Sequence, residues 1–304
     1  MKAFIITLGC AVTLATILAG CKALEVATQV GTTVGVATGT ISTQQAEGIQ
    51  RSSSALGKAF EDLTPEHEYY IGRSVAATIL STYKAFDQAA ATQYLNTLGK
   101  VLAMYSEKPE TFGGWHFMIM DTDEINAFAA PGGFILVSRG MLRCCRNEDE
   151  LAAVLAHEIG HVQREHGLRA ISKSRWTSAG TIMAAEAGKS LGGQQLAELT
   201  TLFEGSITDV TKTLANSGYA RAFEREADGD AIVIMKRVGY NPEGLVNMLA
   251  EMGKRLEKDT RGFAKTHPDP NDRIKDLRKA IGAQTAIKPH PARQARFTAA
   301  LSGI

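Results

Sequence analysis

The chain has 304 residues, of which 44% are hydrophobic, and its formal net charge is +1. This length and composition suit an ordinary globular protein with one sizeable core or two smaller ones, and they exclude wholesale disorder. The near-neutral charge and the lack of a basic run argue against nucleic acid as a principal partner.

The N-terminal residues have the pattern of an export signal. Lys2 precedes a predominantly apolar run over residues 3–18. The run is too short to span a membrane comfortably and is typical of a signal sequence. We therefore predict a signal peptide over residues 1–20.

A possible lipid attachment site follows at once. Leu18-Ala19-Gly20-Cys21 resembles the processing box of bacterial lipoproteins, in which the cysteine is acylated and becomes the new N-terminus. The resemblance predicts lipidation of Cys21 and a protein that faces the periplasm of a bacterial envelope. Lys22 stands where an acidic residue would signal retention in the inner membrane, which favours the outer membrane. A plain secretory signal or an uncleaved anchor is the alternative.

Composition divides the rest of the chain. Residues 21–60 are rich in Gly, Thr, Ser and Gln, which predicts a flexible tether, although their Val, Gly and Thr alternation also allows a short strand or a helix. A folded domain is predicted over residues 61–285 and a loosely attached tail over 286–304. Residues 168–215 lack a strong apolar stripe, which predicts weakly packed helices or a mobile covering segment.

Hydrophobic periodicity within the folded domain predicts an α+β fold that is predominantly α-helical. A small sheet is expected beside a central helix, and a loop that contains Pro131-Gly132-Gly133 is expected between its two strands. Besides the central helix, the predicted helices cover about residues 64–86, 93–105, 217–238, 242–258 and 270–281, and the predicted strands cover 115–120 and 134–138.

The most informative stretch is His157-Glu158-Ile159-Gly160-His161. On a helix, two histidines four residues apart lie about one turn apart on one face, so both can bind one metal ion. Glu158 can reach a water molecule held by that ion, which makes it the predicted general base. Asn147 is the predicted N-cap of this helix, and apolar residues at helical spacing predict a buried face.

A catalytic zinc ion usually takes three protein ligands, so the two histidines require a third ligand elsewhere. We predict Glu224, which opens Glu224-Arg225-Glu226-Ala227-Asp228 on a later helix. Glu224 and Asp228 share one face of that helix, whereas Glu226 points elsewhere. Asp228 is therefore predicted to bond the second nitrogen of a ligand histidine and to orient its ring.

His166 is a competing ligand. It follows His161 by five residues, which places it about 140° around a continuous helix. This geometry predicts that His166 faces away from the metal. A surface or capping role at the end of the helix, just before Gly167, is expected instead.

Four segments together resemble the zinc metallopeptidases that include the CAAX prenyl protease and the HtpX heat-shock peptidase. Each segment alone is a weak or moderate signal, but their order along the chain is specific. The resemblance covers about residues 61–281. The segments are Asn126-Ala127-Phe128-Ala129 with Pro131-Gly132-Gly133, His157 to His161, Glu224 to Asp228, and His267-Pro268 followed by Arg273.

The resemblance implies a gluzincin fold in which His157, His161 and Glu224 bind one Zn²⁺ ion. It also implies that His267 and Arg273 lie near the active site. There His267 would stabilise the oxyanion or approach the metal in a closed form. Without the resemblance, His267-Pro268 would predict only a turn before a helix, and Arg273 would be interpreted as a surface cation.

In such enzymes the segment from Asn126 to Gly133 resembles the strand edge along which an extended peptide binds. Polypeptides are therefore the expected substrates, and a simple hairpin loop is the alternative. The chain lacks the multiple membrane spans of the prenyl protease, and it is most similar to the soluble members of the bacterial envelope. The predicted substrate-binding residues are Asn126, Ala127, Phe128, Ala129, Gly132 and Gly133.

The expected function is that of a zinc metalloendopeptidase that hydrolyses misfolded cell-envelope proteins. A chaperone-like envelope protein that keeps the zinc site but cleaves little, because residues 168–215 cover it, is the main alternative. A zinc hydrolase of non-peptide substrates is a third possibility.

Overall fold

The computed structural model describes residues 64–171, 204–256, 267–282 and 290–304. The predicted signal peptide, Cys21, the predicted tether and most of segment 168–215 lie outside the described residues. The elements described below belong to one compact unit, residues 65–171 and 206–304. None of the helices in the described ranges combines the length and the apolar character needed to cross a lipid bilayer.

The fold is α+β and mostly helical, as predicted. The helices are α1 (Pro65–Thr82), α2 (Ala89–Met104), α3 (Arg139–Cys144), α4 (Glu148–Gln163), α5 (His166–Arg169), α6 (Arg221–Val238), α7 (Glu243–Leu256), α8 (Pro270–Ile281) and α9 (Pro291–Leu301), and the strands are β1 (His116–Met120), β2 (Ala127–Ala130) and β3 (Phe134–Ser138).

The three strands form one sheet in the order β1-β3-β2. β3 runs parallel to β1, with Phe117 opposite Ile135, and antiparallel to β2, with Phe128 opposite Leu136. The strand periodicity predicted β1 and β3 but not β2. Alanine has little intrinsic preference for strands, so the formation of β2 depends on its pairing with β3 and on its complete burial.

Helix α4 passes through the centre of the core. The sequence predicted one buried face, but every residue from Glu148 to Val162 is buried. Ala152, Ala153 and Ala156 have no exposed surface, and these small side chains let neighbouring elements approach the helix from several sides. The helix that carries the two histidines is therefore held rigidly by the surrounding elements.

Local signals at helix ends agree with the structure. The side chain of Asn147 accepts a hydrogen bond from the backbone N–H of Glu150 at 3.0 Å, which confirms the predicted N-cap of α4. Gly239 ends α6 in the left-handed conformation, with φ 84°, and the backbone N–H of Tyr240 returns to the carbonyl of Met235.

The prediction of a loosely attached end after residue 288 is wrong. Residues 291–301 form helix α9, which buries Phe297 against the core. Arg293 and Arg296 form ion pairs with Asp149 and Glu148, in the first turn of α4. The residues after Lys288 gave no recognisable signal of this helix, because both its apolar contacts and its ion pairs join it to partners distant in sequence.

Candidate metal centre

Two helices bring the predicted ligands together. His157 and His161 lie on α4, and Glu224 lies on the first turn of α6. The two helices pack closely at Gly160, where an added Cβ atom would lie 3.0 Å from the Cα atom of Ala227. A glycine at this position therefore permits the close approach that places Glu224 beside the two imidazoles.

The three side chains converge on one point. The Nε2 atoms of His157 and His161 are 3.1 Å apart. Glu224 places Oε2 3.6 Å from Nε2 of His157 and Oε1 3.4 Å from Nε2 of His161. His267 joins the group, with its Nδ1 atom 2.8 Å from Glu224 Oε2, and potential ligand atoms of all four residues lie within 4.8 Å of one another.

The chemistry of this donor set fits a zinc ion. When both Nδ1 atoms carry the protons, the two Nε2 lone pairs face each other, and a cation bound between them would relieve their repulsion. Glu224 Oε1 is buried and has no hydrogen-bond partner among the described residues. Two imidazoles, one carboxylate and a nearby fourth position match the ligand types and number that zinc takes in proteins.

Asp228 and Arg273 support His157 on the side of the ring that carries Nδ1, opposite the Nε2 atom that faces the metal position. Asp228 Oδ1 lies 3.0 Å from Nδ1 of His157. Arg273 donates to both carboxylate oxygens of Asp228, at 3.0 and 2.6 Å, and its Nη1 lies 3.5 Å from Glu224 Oε2. Both residues are buried. Arg273 thus contacts the carboxylates that surround the metal position, which is the geometry of a positioning residue.

The predicted place of His166 at the surface is wrong. The 140° estimate assumed a continuous helix, but α4 ends at Gln163 and Glu165 adopts a left-handed conformation with φ 55°. The chain turns back, so His166 is completely buried and its Nδ1 lies 2.8 Å from Nδ1 of His161. Glu226, which was predicted to point away from the face shared by Glu224 and Asp228, does so and lies 3.0 Å from Nε2 of His166.

Burial and charge set the protonation of the ligands. Burial and Arg273 lower the pKa of His157, but the carboxylates of Asp228 and Glu224 outweigh them and raise it to about 9. Burial lowers the pKa of His161 to about 3. Burial also opposes ionisation of Glu224, but the neighbouring imidazoles hold its pKa well below its usual value. The site therefore holds an ionised carboxylate next to a position that favours positive charge.

Glu158 lies on the same helical turn as the two histidines and is 2% exposed. Burial raises the pKa of its carboxyl group above the usual value. A carboxylate with a raised pKa is a stronger base than an ordinary one, which suits the predicted role in proton transfer.

The structure places the predicted substrate-binding residues at one edge of the sheet, on and after β2. Ala127 to Ala130 are buried, and the hydroxyl of Tyr219 donates to the carbonyl of Ala129 at 3.4 Å. The N–H of Gly132 donates to Glu68 at 3.0 Å, so this group is already bonded within the protein. The side chain of Asn126 accepts from the N–H of Ala127, and this bond holds the start of the strand.

Sequence reasoning missed Tyr219 and Glu68. The ring of Tyr219 stacks on His161, with ring centroids 4.4 Å apart and an interplanar angle of 20°. Glu68 lies on α1, and its carboxylate accepts hydrogen bonds from the ammonium group of Lys108, at 2.6 Å, and from the backbone N–H of Gly132. Neither residue belongs to a recognisable motif. Glu68 lies on an element distant in sequence from the histidines, whereas Tyr219 lies just before α6, which carries Glu224.

Comparison with known proteins agrees with this geometry. The chain is 32% identical over 209 residues to the beta-barrel assembly-enhancing protease of Yersinia pestis, a match that covers 66% of this chain and 40% of that protein. A putative beta-barrel assembly-enhancing protease of Vibrio cholerae is 30% identical, over 80% of this chain and 51% of its own length. The metalloprotease LoiP of Escherichia coli is 27% identical, over 55% of this chain and 63% of its own length.

The chain thus spans less than two thirds of each of these relatives. The model of peptidase family M48, whose metal is zinc, matches residues 89–281, a range that contains all four segments singled out in the sequence. This chain belongs to peptidase family M48.

Proposed function

We propose that this protein is a zinc-dependent endopeptidase that hydrolyses peptide bonds of misfolded cell-envelope proteins. The observation that carries the proposal is the convergence of His157, His161 and Glu224 on one point, with Glu158 buried on the same helical turn. Membership of peptidase family M48 supports the same reaction.

His157, His161 and Glu224 would hold the zinc ion. When bound, zinc supplies Lewis-acid chemistry, which polarises the peptide carbonyl and makes water more acidic. Glu158 removes a proton from the attacking water and then delivers it to the leaving amine, a role that its raised pKa favours.

His267 has two roles open to it within this mechanism. It lies 2.8 Å from Glu224, close enough to donate a hydrogen bond to the oxyanion or to act as a fourth ligand in a closed form. Arg273 holds Asp228, and Asp228 holds the ring of His157, so this pair fixes the direction in which His157 presents its Nε2 atom.

The substrate and the location are proposed from the sequence pattern and the relatives' names. Two relatives are named as beta-barrel assembly-enhancing proteases, which supports an envelope location. The predicted signal peptide over residues 1–20 and the predicted lipid on Cys21 would attach the protein to the outer membrane, facing the periplasm. The edge at β2 would bind an extended polypeptide through its main chain.

The experiment compares digestion of unfolded casein by the purified protein with and without a chelator. Wild type should cleave casein, the chelator should stop cleavage, and added zinc should restore it. Glu158→Gln should bind zinc and cleave nothing, whereas the exposed Glu66→Gln should behave like wild type. A protein that binds zinc but never cleaves casein would favour the chaperone-like alternative.

A separate experiment tests the anchor. Cys21→Ala should abolish lipid labelling and release the protein into the soluble periplasmic fraction. A Cys21→Ala variant that is still processed normally and stays bound to membranes would refute the predicted lipidation.

A further inference from the structure

We propose that His166 and Glu226 form a positioning chain that fixes the tautomer and the ring orientation of His161. This inference rests on the proposed zinc site, and it assigns a role to two residues that the mechanism above does not use. His166 contacts neither substrate nor metal in this role. It acts only through His161.

The atoms lie in a continuous hydrogen-bonded line. Nδ1 of His161 is 2.8 Å from Nδ1 of His166, and Nε2 of His166 is 3.0 Å from Oε2 of Glu226. His161 and His166 are buried, whereas the side chain of Glu226 is 36% exposed. The line therefore runs from the metal position to the protein surface.

Only one arrangement of protons along the line leaves His161 able to bind a metal. Nε2 of His161 faces the metal position and must be unprotonated, so Nδ1 carries the proton. Nδ1 of His166 must then accept that proton's hydrogen bond, which leaves the proton of His166 on Nε2. That N–H donates to Glu226, whose carboxylate can only accept. Glu226 thus sets the tautomer of His161 through His166.

Packing keeps the rings in this alignment. The ring of His166 stacks on Phe223, with centroids 4.4 Å apart and an interplanar angle of 2°. The guanidinium of Arg169 lies 4.0 Å from the centre of the Phe223 ring and donates a hydrogen bond to Glu226 at 2.9 Å. The left-handed turn at Glu165 brings His166 into this position.

The two metal-facing histidines are thus supported in different ways. His157 meets a carboxylate directly, through Asp228. His161 meets a neutral imidazole first and a carboxylate second. Support for a ligand histidine through its outer nitrogen is commonly worth about 10–100-fold in metal affinity.

The test measures the zinc dissociation constant of the full chain by competition with a chromogenic chelator, for two matched pairs of variants. His166→Leu removes the acceptor and should weaken zinc binding by about 10-fold or more. His166→Asn places an amide oxygen near the former Nδ1 atom and should restore binding to within about 3-fold of wild type.

The second pair is Glu226→Leu and Glu226→Gln. Glu226→Leu should weaken zinc binding by about 10-fold, the lower end of the same range. Glu226→Gln should match wild type because its amide oxygen still accepts a hydrogen bond. Nitrogen-15 NMR of the imidazoles gives an independent readout. The proton of His161 should lie on Nδ1 in wild type and become distributed over both nitrogens in His166→Leu.

Unchanged zinc affinity in His166→Leu, or equal losses in His166→Leu and His166→Asn with folded protein, would overturn the proposal. If His166→Leu does not fold, the Glu226 pair decides in the same way: equal zinc affinity of its Leu and Gln variants would refute the chain. Failure of the proposed zinc site is a different result, because wild type itself would then bind no zinc.

Discussion

The two ends of helix α4 are both buried and charged, but they are completed differently. At the N-terminal end, the carboxylate of Glu148 accepts hydrogen bonds from the hydroxyls of Tyr94 and Tyr240, at 2.8 and 2.7 Å. It also forms an ion pair with the guanidinium of Arg296. At the C-terminal end, Glu224 Oε1 is left without a hydrogen bond among the described residues, beside two imidazoles. At the first end, protein groups supply the hydrogen bonds of the buried carboxylate. At the second end, the buried carboxylate and the imidazoles form a set of donor atoms that a cation could bind.

This difference separates stability from function along a single helix. A buried carboxylate with a full set of donors contributes to folding, and its loss should be seen in unfolding experiments. A buried carboxylate that faces an incomplete site contributes to binding instead. Variants at one end should therefore change stability without changing the chemistry, and variants at the other end should do the reverse.

The largest expected effect belongs to the C-terminal end. Glu158→Gln should lower kcat/KM for casein by about 10²–10⁴-fold, because the variant cannot accept the proton of the attacking water. Zinc affinity should stay within about 3-fold of wild type, and the free energy of unfolding should change by no more than about 1 kcal/mol. Initial rates and urea unfolding measure these quantities. Substantial residual proteolysis would remove Glu158 from the mechanism.

The N-terminal end should give the opposite result. Arg296→Met leaves the buried carboxylate of Glu148 without its cationic partner and should lower the free energy of unfolding by about 2 kcal/mol. Urea unfolding of the zinc-free protein measures this loss. The kcat of the folded variant should equal that of wild type. A lower kcat would show that the ion pair between Arg296 and Glu148 also affects the metal centre.

The pH dependence of the free energy of unfolding measures the contribution of the Glu148 carboxylate. Burial opposes ionisation of Glu148, but Arg296, Tyr240 and Tyr94 lower its pKa below the usual 4.5. Its ionised form therefore stabilises the native state above pH 4.5, and this contribution is lost as the pH falls through the lower folded pKa. The difference in unfolding free energy between wild type and Glu148→Gln should be largest near neutral pH and should shrink below pH 4.5. A difference that grows on acidification would contradict this sign.

The smallest effects belong to the contact between the two ligand-bearing helices. Gly160→Ala should lower the free energy of unfolding by about 1 kcal/mol, because its Cβ atom would lie 3.0 Å from Ala227, and it should weaken zinc binding by displacing Glu224. Gly229→Ala is the matched control, since nothing lies within 4 Å of its added Cβ atom. That variant should be more stable by about 0.5–1 kcal/mol. Equal responses of the two variants would show that the helix contact at Gly160 is not tight.

Much of the local structure could be predicted from particular residues. Asn147 marked the start of α4 correctly because capping depends on the backbone within a few residues. His157 and His161 were placed on one helical face because that spacing is a property of the helix alone. Glu224 was inferred from the number of ligands that zinc requires, and the structure brings it to the same point.

Two errors have a common cause. The position of His166 was estimated by extending a regular helix past Gln163, where the chain in fact turns at Glu165. The C-terminal end was expected to be loose because the residues after Lys288 carried no recognisable signal, yet Arg296 attaches it to Glu148. In both cases the decisive contacts join residues whose separation in space cannot be calculated from their spacing in the chain.

The sequence by itself predicted a set of candidate side chains and determined that His157 and His161 share one helical face, because helix periodicity is local. The sequence also predicted that Asp228 bonds a ligand histidine, but the tertiary structure decided which histidine it meets and which other residues support the two rings. The tertiary structure placed His166 and Glu226 behind His161, Asp228 and Arg273 behind His157, and α9 against the first turn of α4. The physical reason is that hydrogen bonds and ion pairs require atoms within about 3–4 Å, a condition that only the packed chain can satisfy.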